Sequence, residues 1–276
     1  MQLKLTRREI LGAGLAGTAC AALPVPAFAA SSRSFDYGPN ALDWYPARTT
    51  SGNAPILVFV HGGAWALGNR GQVGSKADYY TSQGYNFASV SYTLFPAANA
   101  QTQALQVGTA VNWIHQNARR LGGDPDRIAL MGHSAGCHLS SLATLTGAAT
   151  PVKALVCNDT RAYDLEFLAR MNGGALPLLY APAFANPSYW SAWSPISYSG
   201  LRDQPPTLVA WSGGSGRDRV SKRFADALEY EGTEVHRFDG KRRYNHISIN
   251  SRMGRSRDRL TKSVDRFLED VLNRTA

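Results

Sequence analysis

A serine between two glycines is the clearest chemical feature of this sequence. Gly132-His133-Ser134-Ala135-Gly136 follows a short apolar run, Ile128 to Met131, and precedes a segment that reads as a helix. This spacing predicts a nucleophile elbow, in which a strand turns sharply into a helix with the serine at a strained apex. Side chains at positions 132 and 136 would clash with neighbouring backbone, which accounts for the glycines. Ser134 is therefore the candidate nucleophile.

A serine hydroxyl needs a general base, and a histidine usually provides it. Of the six histidines, His246 lies in a polar loop just past the last predicted strand, Glu234 to Phe238. The base of such sites follows the acid in the chain, which favours His246. His236 lies inside the predicted strand and is the alternative.

The third group must be a carboxylate that orients the histidine and stabilises its charged form. Asp218 is the one carboxylate in the segment Ser212 to Val220, which follows the predicted strand Thr207 to Trp211. We predict Asp218 as this acid. Its flanking arginines allow a competing interpretation, an ion-paired residue at the start of a helix. The alternative acids are Asp159, Asp164 and Asp203.

A second turn, His61-Gly62-Gly63-Ala64-Trp65, follows the predicted strand Ile56 to Val60. Its backbone N–H groups are not shielded by side chains, so Gly62 and Gly63 together with Ala135 are predicted to form an oxyanion hole. Trp65 is predicted to contact a hydrophobic or aromatic substrate. His61 is expected to hold the loop.

The elements that position these residues follow from the apolar pattern. Strand-like runs alternate with helical stripes from residue 56 to the end, which predicts a mostly parallel sheet covered by helices on both faces. Residues 159–204 contain no clear strand and are rich in aromatic residues. We expect a cap insertion there, whose aromatics are candidate substrate contacts although most should simply pack.

The first thirty residues differ from the rest. A charged start with Arg7 and Arg8, an apolar run and Ala27-Phe28-Ala29 are typical of a twin-arginine export signal. We expect residues 1–30 to be such a signal, residues 31–276 to be the folded domain, and the protein to be periplasmic or secreted. The apolar run is too short and too rich in glycine for a stable membrane anchor.

Composition narrows the class further. With 276 residues and 44% hydrophobic residues, the chain can bury a substantial core, and three cysteines cannot form a disulfide framework. The net charge of +9 is concentrated late, between Lys241 and Arg259. This segment could attract an anionic polymer or membrane surface, but a solvated surface is the simpler interpretation. No nucleic-acid motif accompanies it, so no nucleic-acid partner is expected.

These motifs resemble the α/β-hydrolase superfamily, in particular the small serine esterase group of carbohydrate esterases, hormone-sensitive-lipase-like esterases and kynurenine-formamidase-like enzymes. The resemblance covers roughly residues 55–250 and rests on these segments: HGGAW at 61–65, YTLFP at 92–96, DPDRI at 124–128, GHSAG at 132–136, Ser194-Pro195 and Pro205-Pro206. It implies a triad of Ser134, Asp218 and His246 and an oxyanion hole of Gly62, Gly63 and Ala135. Ala64-Trp65 departs from the common third glycine and is closer to the HGGxW form of formamidase-like members.

The sequence thus predicts an exported serine hydrolase that cleaves small-molecule or polysaccharide-linked carboxylic esters through an acyl-enzyme. A formamide or amide hydrolase using the same residues is the nearest alternative, and a non-catalytic binding module on a hydrolase scaffold is an alternative of another class. The mechanism needs no cofactor. The spacing of the His, Cys and carboxylate residues does not predict a metal site.

Overall fold

The computed structural model describes residues 31–50 and 52–274. The predicted export signal, residues 1–30, lies outside the described residues. Within them the strands form one eight-stranded sheet in the order β1-β2-β4-β3-β5-β6-β7-β8. The strands are β1 (Arg33–Asp36), β2 (Ala41–Tyr45), β3 (Ala54–Val60), β4 (Asn86–Val90), β5 (Gly123–His133), β6 (Ala154–Asn158), β7 (Thr207–Trp211) and β8 (Val235–Asp239).

The sheet is mostly parallel. Strands β4, β3, β5, β6, β7 and β8 run in one direction, and only the pairs formed by β1 and β2 at one edge are antiparallel. Strands β4, β6 and β7 are buried at every residue. Burial on both faces is why these strands are continuous apolar runs in the sequence instead of alternating ones.

Helices cover both faces, as the alternating pattern predicts. They are α1 (Lys76–Ser82), α2 (Ala100–Asn117), α3 (Ala135–Leu145), α4 (Leu165–Met171), α5 (Arg217–Tyr230), α6 (Ser248–Ser251) and α7 (Arg259–Leu272). The apolar sides of α2, α3 and α5 pack into one core cluster. Those of α1 and α7 pack into a second cluster on the other face. The predicted fold class is confirmed.

The segment predicted as an insertion, residues 159–204, is fully described and contains no strand. It holds α4 and two short 3-10 helices, Pro187–Tyr189 and Pro195–Tyr198. Half of its large aromatics are buried, namely Tyr163, Tyr180, Phe184 and Trp193. It therefore packs onto the body through the aromatics that the sequence marks.

The carboxyl ends of the parallel strands meet at one edge of the sheet, the carboxyl edge. The segments that follow β3, β5, β6 and β8 all begin there, and they carry the glycine turn, Ser134, Asp159 and His246. Parallel topology thus collects residues that are up to 185 positions apart, from His61 to His246, at one place. Among the described residues, no helix has the length and apolar character needed to cross a membrane.

Candidate active site

Ser134 lies at a strained turn between β5 and α3. Its backbone has φ 57° and ψ −120°, a region that L-residues rarely adopt. The turn is tight enough that a Cβ on Gly132 would lie 2.2 Å from the carbonyl oxygen of Gly136, and a Cβ on Gly136 would lie 2.2 Å from that of Val60. Both glycines are therefore sterically required, and the elbow projects Ser134 out of the sheet.

The structure brings Ser134 and His246 together. The Nε2 atom of His246 lies 2.9 Å from the Oγ atom of Ser134, and its Nδ1 atom lies 2.8 Å from Oδ2 of Asp159. A carboxylate only accepts, so Nδ1 carries the hydrogen and Nε2 is left to accept the serine hydroxyl. His236 lies within β8 and its Nε2 atom contacts the exposed Glu234.

Asp159 is the acid that the geometry selects. It follows β6 and is completely buried, and its carboxylate accepts hydrogen bonds from the backbone N–H and the hydroxyl of Ser212, at 2.9 and 2.7 Å. Arg217 approaches to 3.6 Å. Burial would raise the pKa of Asp159, but the hydrogen bond from His246 and the charge of Arg217 outweigh it and hold the pKa below its usual value. The carboxylate is therefore ionised at neutral pH.

The prediction that Asp218 partners the histidine is wrong. Asp218 lies in the first turn of α5, with Oδ2 3.0 Å from the Nζ atom of Lys241 at the surface. It fits the competing interpretation, an ion-paired residue at a helix start. Asp159, one of the alternatives, takes the predicted role because it directly follows a central strand, and this position could have favoured it in the sequence. Its φ of 61° turns the carboxylate toward the histidine loop.

The glycine turn after β3 lies directly against the elbow. A Cβ on Gly62 would come within 3.0 Å of the Cβ of Ser134, and one on Gly63, whose φ is 131°, would come within 2.0 Å of the Leu67 carbonyl oxygen. Ala135 is the first residue of α3, where backbone N–H groups have no partner within the helix. The three predicted N–H donors are thus carried by two backbone segments that meet at the serine.

The structure does not place Trp65 at the cavity beside Ser134, where the sequence predicts a substrate contact. Trp65 is only 2% exposed. Its φ of 63° turns the side chain inward, where its Nε1–H donates to Nδ1 of His138 at 3.1 Å. His138 in turn donates from Nε2 to the backbone oxygen of Trp193 at 2.7 Å. Trp65 therefore ties the glycine turn through α3 to the insertion.

His133, the residue before the serine, supports the histidine loop. Its Nε2 atom lies 3.0 Å from the backbone oxygen of His246, and the two rings pack with centroids 4.7 Å apart. Burial and the neighbouring His246 lower the pKa of His133 to about 3, so the ring is neutral and donates from Nε2. The sequence places His133 in the elbow but gives no signal of this contact.

A cavity of about 420 Å³ opens beside Ser134. Its inner wall includes Phe59, His61 and the glycine turn, and two polar side chains, Gln72 and Asn250, also face it. At its mouth lie Leu67, Leu179 and Ile247, all more than 60% exposed. The mostly apolar lining suits a ligand with an apolar group next to the serine.

The residues of the candidate site are also a group that could hold a metal ion. Ligand atoms of His133, Asp159 and His246 lie within 4.8 Å of one another. Those atoms already bond elsewhere, Nδ1 of His246 to Asp159 and Nε2 of His133 to the His246 carbonyl. The hydrogen bonds account for the cluster as it stands.

Comparison with known sequences gives partial matches to esterases. The BD-FAE family model matches residues 42–166. Esterase LipQ of Mycobacterium tuberculosis is 31% identical over 205 residues, which is 66% of this chain and 48% of LipQ. The isoprenylcysteine alpha-carbonyl methylesterase ICME of Arabidopsis thaliana is 32% identical over 124 residues, or 44% of this chain and 29% of that protein. The chain spans about half the length of LipQ and less of ICME.

Solved structures match over nearly the whole fold. Esterase 2 of Thermogutta terrifontis, phosphoramylated by tabun, superposes with a TM-score of 0.70 at 18% identity, covering 87% of this chain and 94% of that one. A thermostable esterase from Pseudomonas putida gives a TM-score of 0.70 at 19% identity, covering 90% and 84%. The sheet order and these superpositions show an α/β-hydrolase fold, and the sequence relatives that match part of the chain are esterases.

Proposed function

We propose that the protein is a carboxylic ester hydrolase that works through an acyl-enzyme, with Ser134 as nucleophile, His246 as general base and Asp159 as the acid that orients it. The observation that carries the proposal is the continuous chain of hydrogen bonds from Asp159 through His246 to Ser134, at 2.8 and 2.9 Å. A serine hydroxyl is a poor nucleophile alone, and this chain supplies its base in the required tautomer.

In the first step the Ser134 Oγ atom attacks the ester carbonyl carbon while its proton passes to Nε2 of His246. The tetrahedral intermediate collapses as His246 returns this proton to the leaving alcohol, which leaves an acyl-serine. Water then attacks the acyl carbon with His246 again as base, and the carboxylic acid is released. The ionised Asp159 stabilises the imidazolium in both halves of the reaction.

The negative oxygen of each intermediate needs donors, and the N–H groups of Gly62, Gly63 and Ala135 are the proposed ones. Gly62 and Gly63 line the same cavity as Ser134, and Ala135 is its immediate neighbour in the chain. One such donor typically contributes about 3 kcal/mol to transition-state stabilisation. Because they are backbone groups, their positions depend on the turn that Trp65 anchors.

The substrate class follows from the cavity. Its apolar lining and its volume of about 420 Å³ favour esters with an apolar or aromatic group near the carbonyl, whether small molecules or esters on a polysaccharide. A panel of short aryl esters, longer acyl esters and acylated polysaccharides, assayed with the wild type and Ser134→Ala, tests the activity and orders these substrates.

A fluorophosphonate probe separates the enzyme from a non-catalytic binding module. We expect the folded protein to be labelled at Ser134 and the Ser134→Ala variant not to be labelled. A wild-type serine that resists the probe would contradict the proposal. The same assays include N-formylkynurenine as a substrate. If its kcat/KM is much higher than that of any ester, the activity is formamide hydrolysis by the same residues and not ester hydrolysis.

We also propose that residues 1–30 direct twin-arginine export and that the protein works in the periplasm or outside the cell. Replacing Arg7 and Arg8 by lysine tests this, because the twin-arginine pathway reads that pair. Cell fractionation should show the wild type outside the cytoplasm and the double variant retained there. Equal export of both forms would contradict it.

A further inference from the structure

A continuous basic surface extends over the segment between β8 and α7. It comprises Lys241, Arg242, Arg243, Arg252, Arg255, Arg257 and Arg259, all of them exposed. These side chains line two depressions of about 770 and 240 Å³ that share Arg243 and Arg259. The shared residues join the depressions into one patch, which is called the basic surface below.

The charge of this surface is not neutralised internally. Lys241 pairs with Asp218, but none of its six arginines forms an ion pair within the described part of the chain. Two carboxylates, Asp239 and Asp258, also line it, and neither forms an ion pair with its arginines within the described residues. Asp258 accepts from the hydroxyl of Tyr244 and the backbone of Thr261, and Asp239 accepts from the Lys241 backbone. The guanidinium groups are free to bind an external anion.

A second exposed feature lies at the mouth of the active-site cavity. Leu67, Leu179 and Ile247 line this mouth with 69%, 66% and 70% of their surfaces exposed, and Leu178 beside them is 92% exposed. These four residues are called the apolar rim. Single exposed apolar side chains are ordinary on a protein surface, but three at one opening, with Leu178 next to Leu179 in the chain, are a concentrated patch.

The basic surface and the apolar rim adjoin. Arg243 precedes His246 by three residues, and Ile247 of the rim follows His246 directly. Arg252 follows the cavity residue Asn250 by two positions, and its guanidinium lies 5.8 Å from the ring centroid of Tyr244. The segment between β8 and α7, which begins at the carboxyl edge, therefore carries the basic surface and Ile247 of the rim, while Leu67 follows β3 and Leu178 and Leu179 belong to the insertion.

We propose that this edge docks onto an anionic lipid surface. The apolar rim would enter the boundary between headgroups and acyl chains, and the guanidinium groups of the basic surface would bind lipid phosphates, which match their planar donor geometry. A soluble polyanion would account for the arginines alone and leave the leucines in water. Docking in this orientation places the cavity mouth on the lipid, so an ester in that surface reaches Ser134 without crossing water.

Vesicle binding tests the proposal independently of the proposed esterase activity, because it is measured with the full-length Ser134→Ala variant. We expect binding to phosphatidylcholine vesicles that contain about 30 mol % phosphatidylglycerol and little binding to phosphatidylcholine alone. Binding should weaken as NaCl rises from about 50 to about 500 mM, because salt screens the headgroup charge.

Two variants separate the two features, each added to the Ser134→Ala background. Arg252→Ala/Arg255→Ala/Arg257→Ala should lower the partition coefficient at least about tenfold. Leu178→Ser/Leu179→Ser should lower it by a similar factor at fixed charge. The matched controls are Arg119→Ala/Arg120→Ala/Arg202→Ala and Leu105→Ser, whose side chains are exposed elsewhere. Circular dichroism melting verifies that every variant folds.

Binding that does not distinguish neutral from anionic vesicles overturns the proposal, and so does binding that the arginine triple variant leaves intact. Retention on a soluble polyphosphate without binding to anionic vesicles also overturns it. If vesicle binding fails while the wild type hydrolyses soluble esters, the docking inference falls and the proposed function stands. If the protein binds anionic vesicles but the wild type hydrolyses no ester, the docking inference stands and the proposed function falls.

Discussion

At the residue scale, the position of the acid governs the site. The carboxylate of Asp159 accepts three hydrogen bonds, two from Ser212 and one from His246. The two bonds from Ser212 fix the carboxylate independently of the histidine. Ser212 follows β7, the strand in whose loop the sequence predicts the acid. The β7 loop thus still contributes to the candidate site, through Ser212, which supports a carboxylate that follows the neighbouring strand.

The exchange of one carboxyl oxygen for an amide distinguishes the two aspartates. Asp159→Asn should reduce kcat about 10³ to 10⁴-fold, because the amide no longer fixes the tautomer or stabilises the imidazolium. Asp218→Asn is the matched control and should leave kcat within about twofold, because it removes only an exposed ion pair. Steady-state kinetics on one soluble ester measure both, and a large loss in Asp218→Asn with a small one in Asp159→Asn would contradict the assignment.

In the proposed mechanism, His133 positions the general base. His133→Gln can still donate from its side-chain nitrogen to the His246 carbonyl and should keep kcat within about threefold. His133→Phe keeps the ring but loses the donor, so kcat should fall about 10 to 100-fold with KM nearly unchanged. Equal kcat values in the two variants would show that the hydrogen bond at 3.0 Å does not position the base.

At the element scale, the sequence predicts the central strands and the elbow because these elements carry strong local signals. Thr207–Trp211 is predicted to the residue, and the elbow follows from steric demands that only glycine meets. The sequence does not predict the edge strands β1 and β2, because strands of four or five residues with mixed burial show no clear hydrophobic periodicity. The acid and the burial of Trp65 depend on contacts between distant segments, which no local pattern records.

One substitution tests the chain of hydrogen bonds that joins the glycine turn to the insertion through Trp65 and His138. Trp65→Phe keeps the aromatic contacts with Phe184 but removes the donor to His138, leaving a buried nitrogen unpaired. We expect a loss of about 1–2 kcal/mol of unfolding free energy and a fall in kcat of about tenfold, since the oxyanion donors lose their anchor.

Denaturant unfolding and steady-state kinetics give the two quantities for Trp65→Phe. The control is Trp113→Phe, which replaces a partly buried tryptophan on α2 that packs against Phe35 in a tilted arrangement, and it should leave kcat unchanged. An unchanged kcat in Trp65→Phe would show that the hydrogen bond from Trp65 to His138 does not position the oxyanion donors.

At the scale of the whole molecule, a buried lysine makes stability depend on pH. Lys76 in α1 is 1% exposed, donates to the backbone oxygen of Asn250 at 3.2 Å, and lies 4.7 Å from the Phe59 ring centroid. Burial lowers its pKa to about 7 from the usual 10.5. Between these two values the unfolded chain binds more protons than the folded one, so this group makes the free energy of unfolding rise with pH across that window.

Lys76→Met removes this titration and should flatten the pH dependence. Relative to the variant, the wild type should gain about 2–3 kcal/mol of unfolding free energy between about pH 7 and about pH 9.5. Urea unfolding at the two pH values, followed by tryptophan fluorescence, gives the difference. If the free energies of unfolding of the wild type and the variant differ by the same amount at both pH values, Lys76 keeps its ordinary pKa in the folded protein.

Because the candidate acid lies after β6, residues 213–216 after β7 carry no side chain of the proposed triad. A Cβ on Gly214, between Ser212 and Arg217, would meet no atom within 4 Å, so the chain there faces open solvent. Extra residues inserted at this point would extend into that solvent without displacing the Asp159 carboxylate. The fold thus offers a place where new recognition loops can be installed while the reaction centre keeps its geometry.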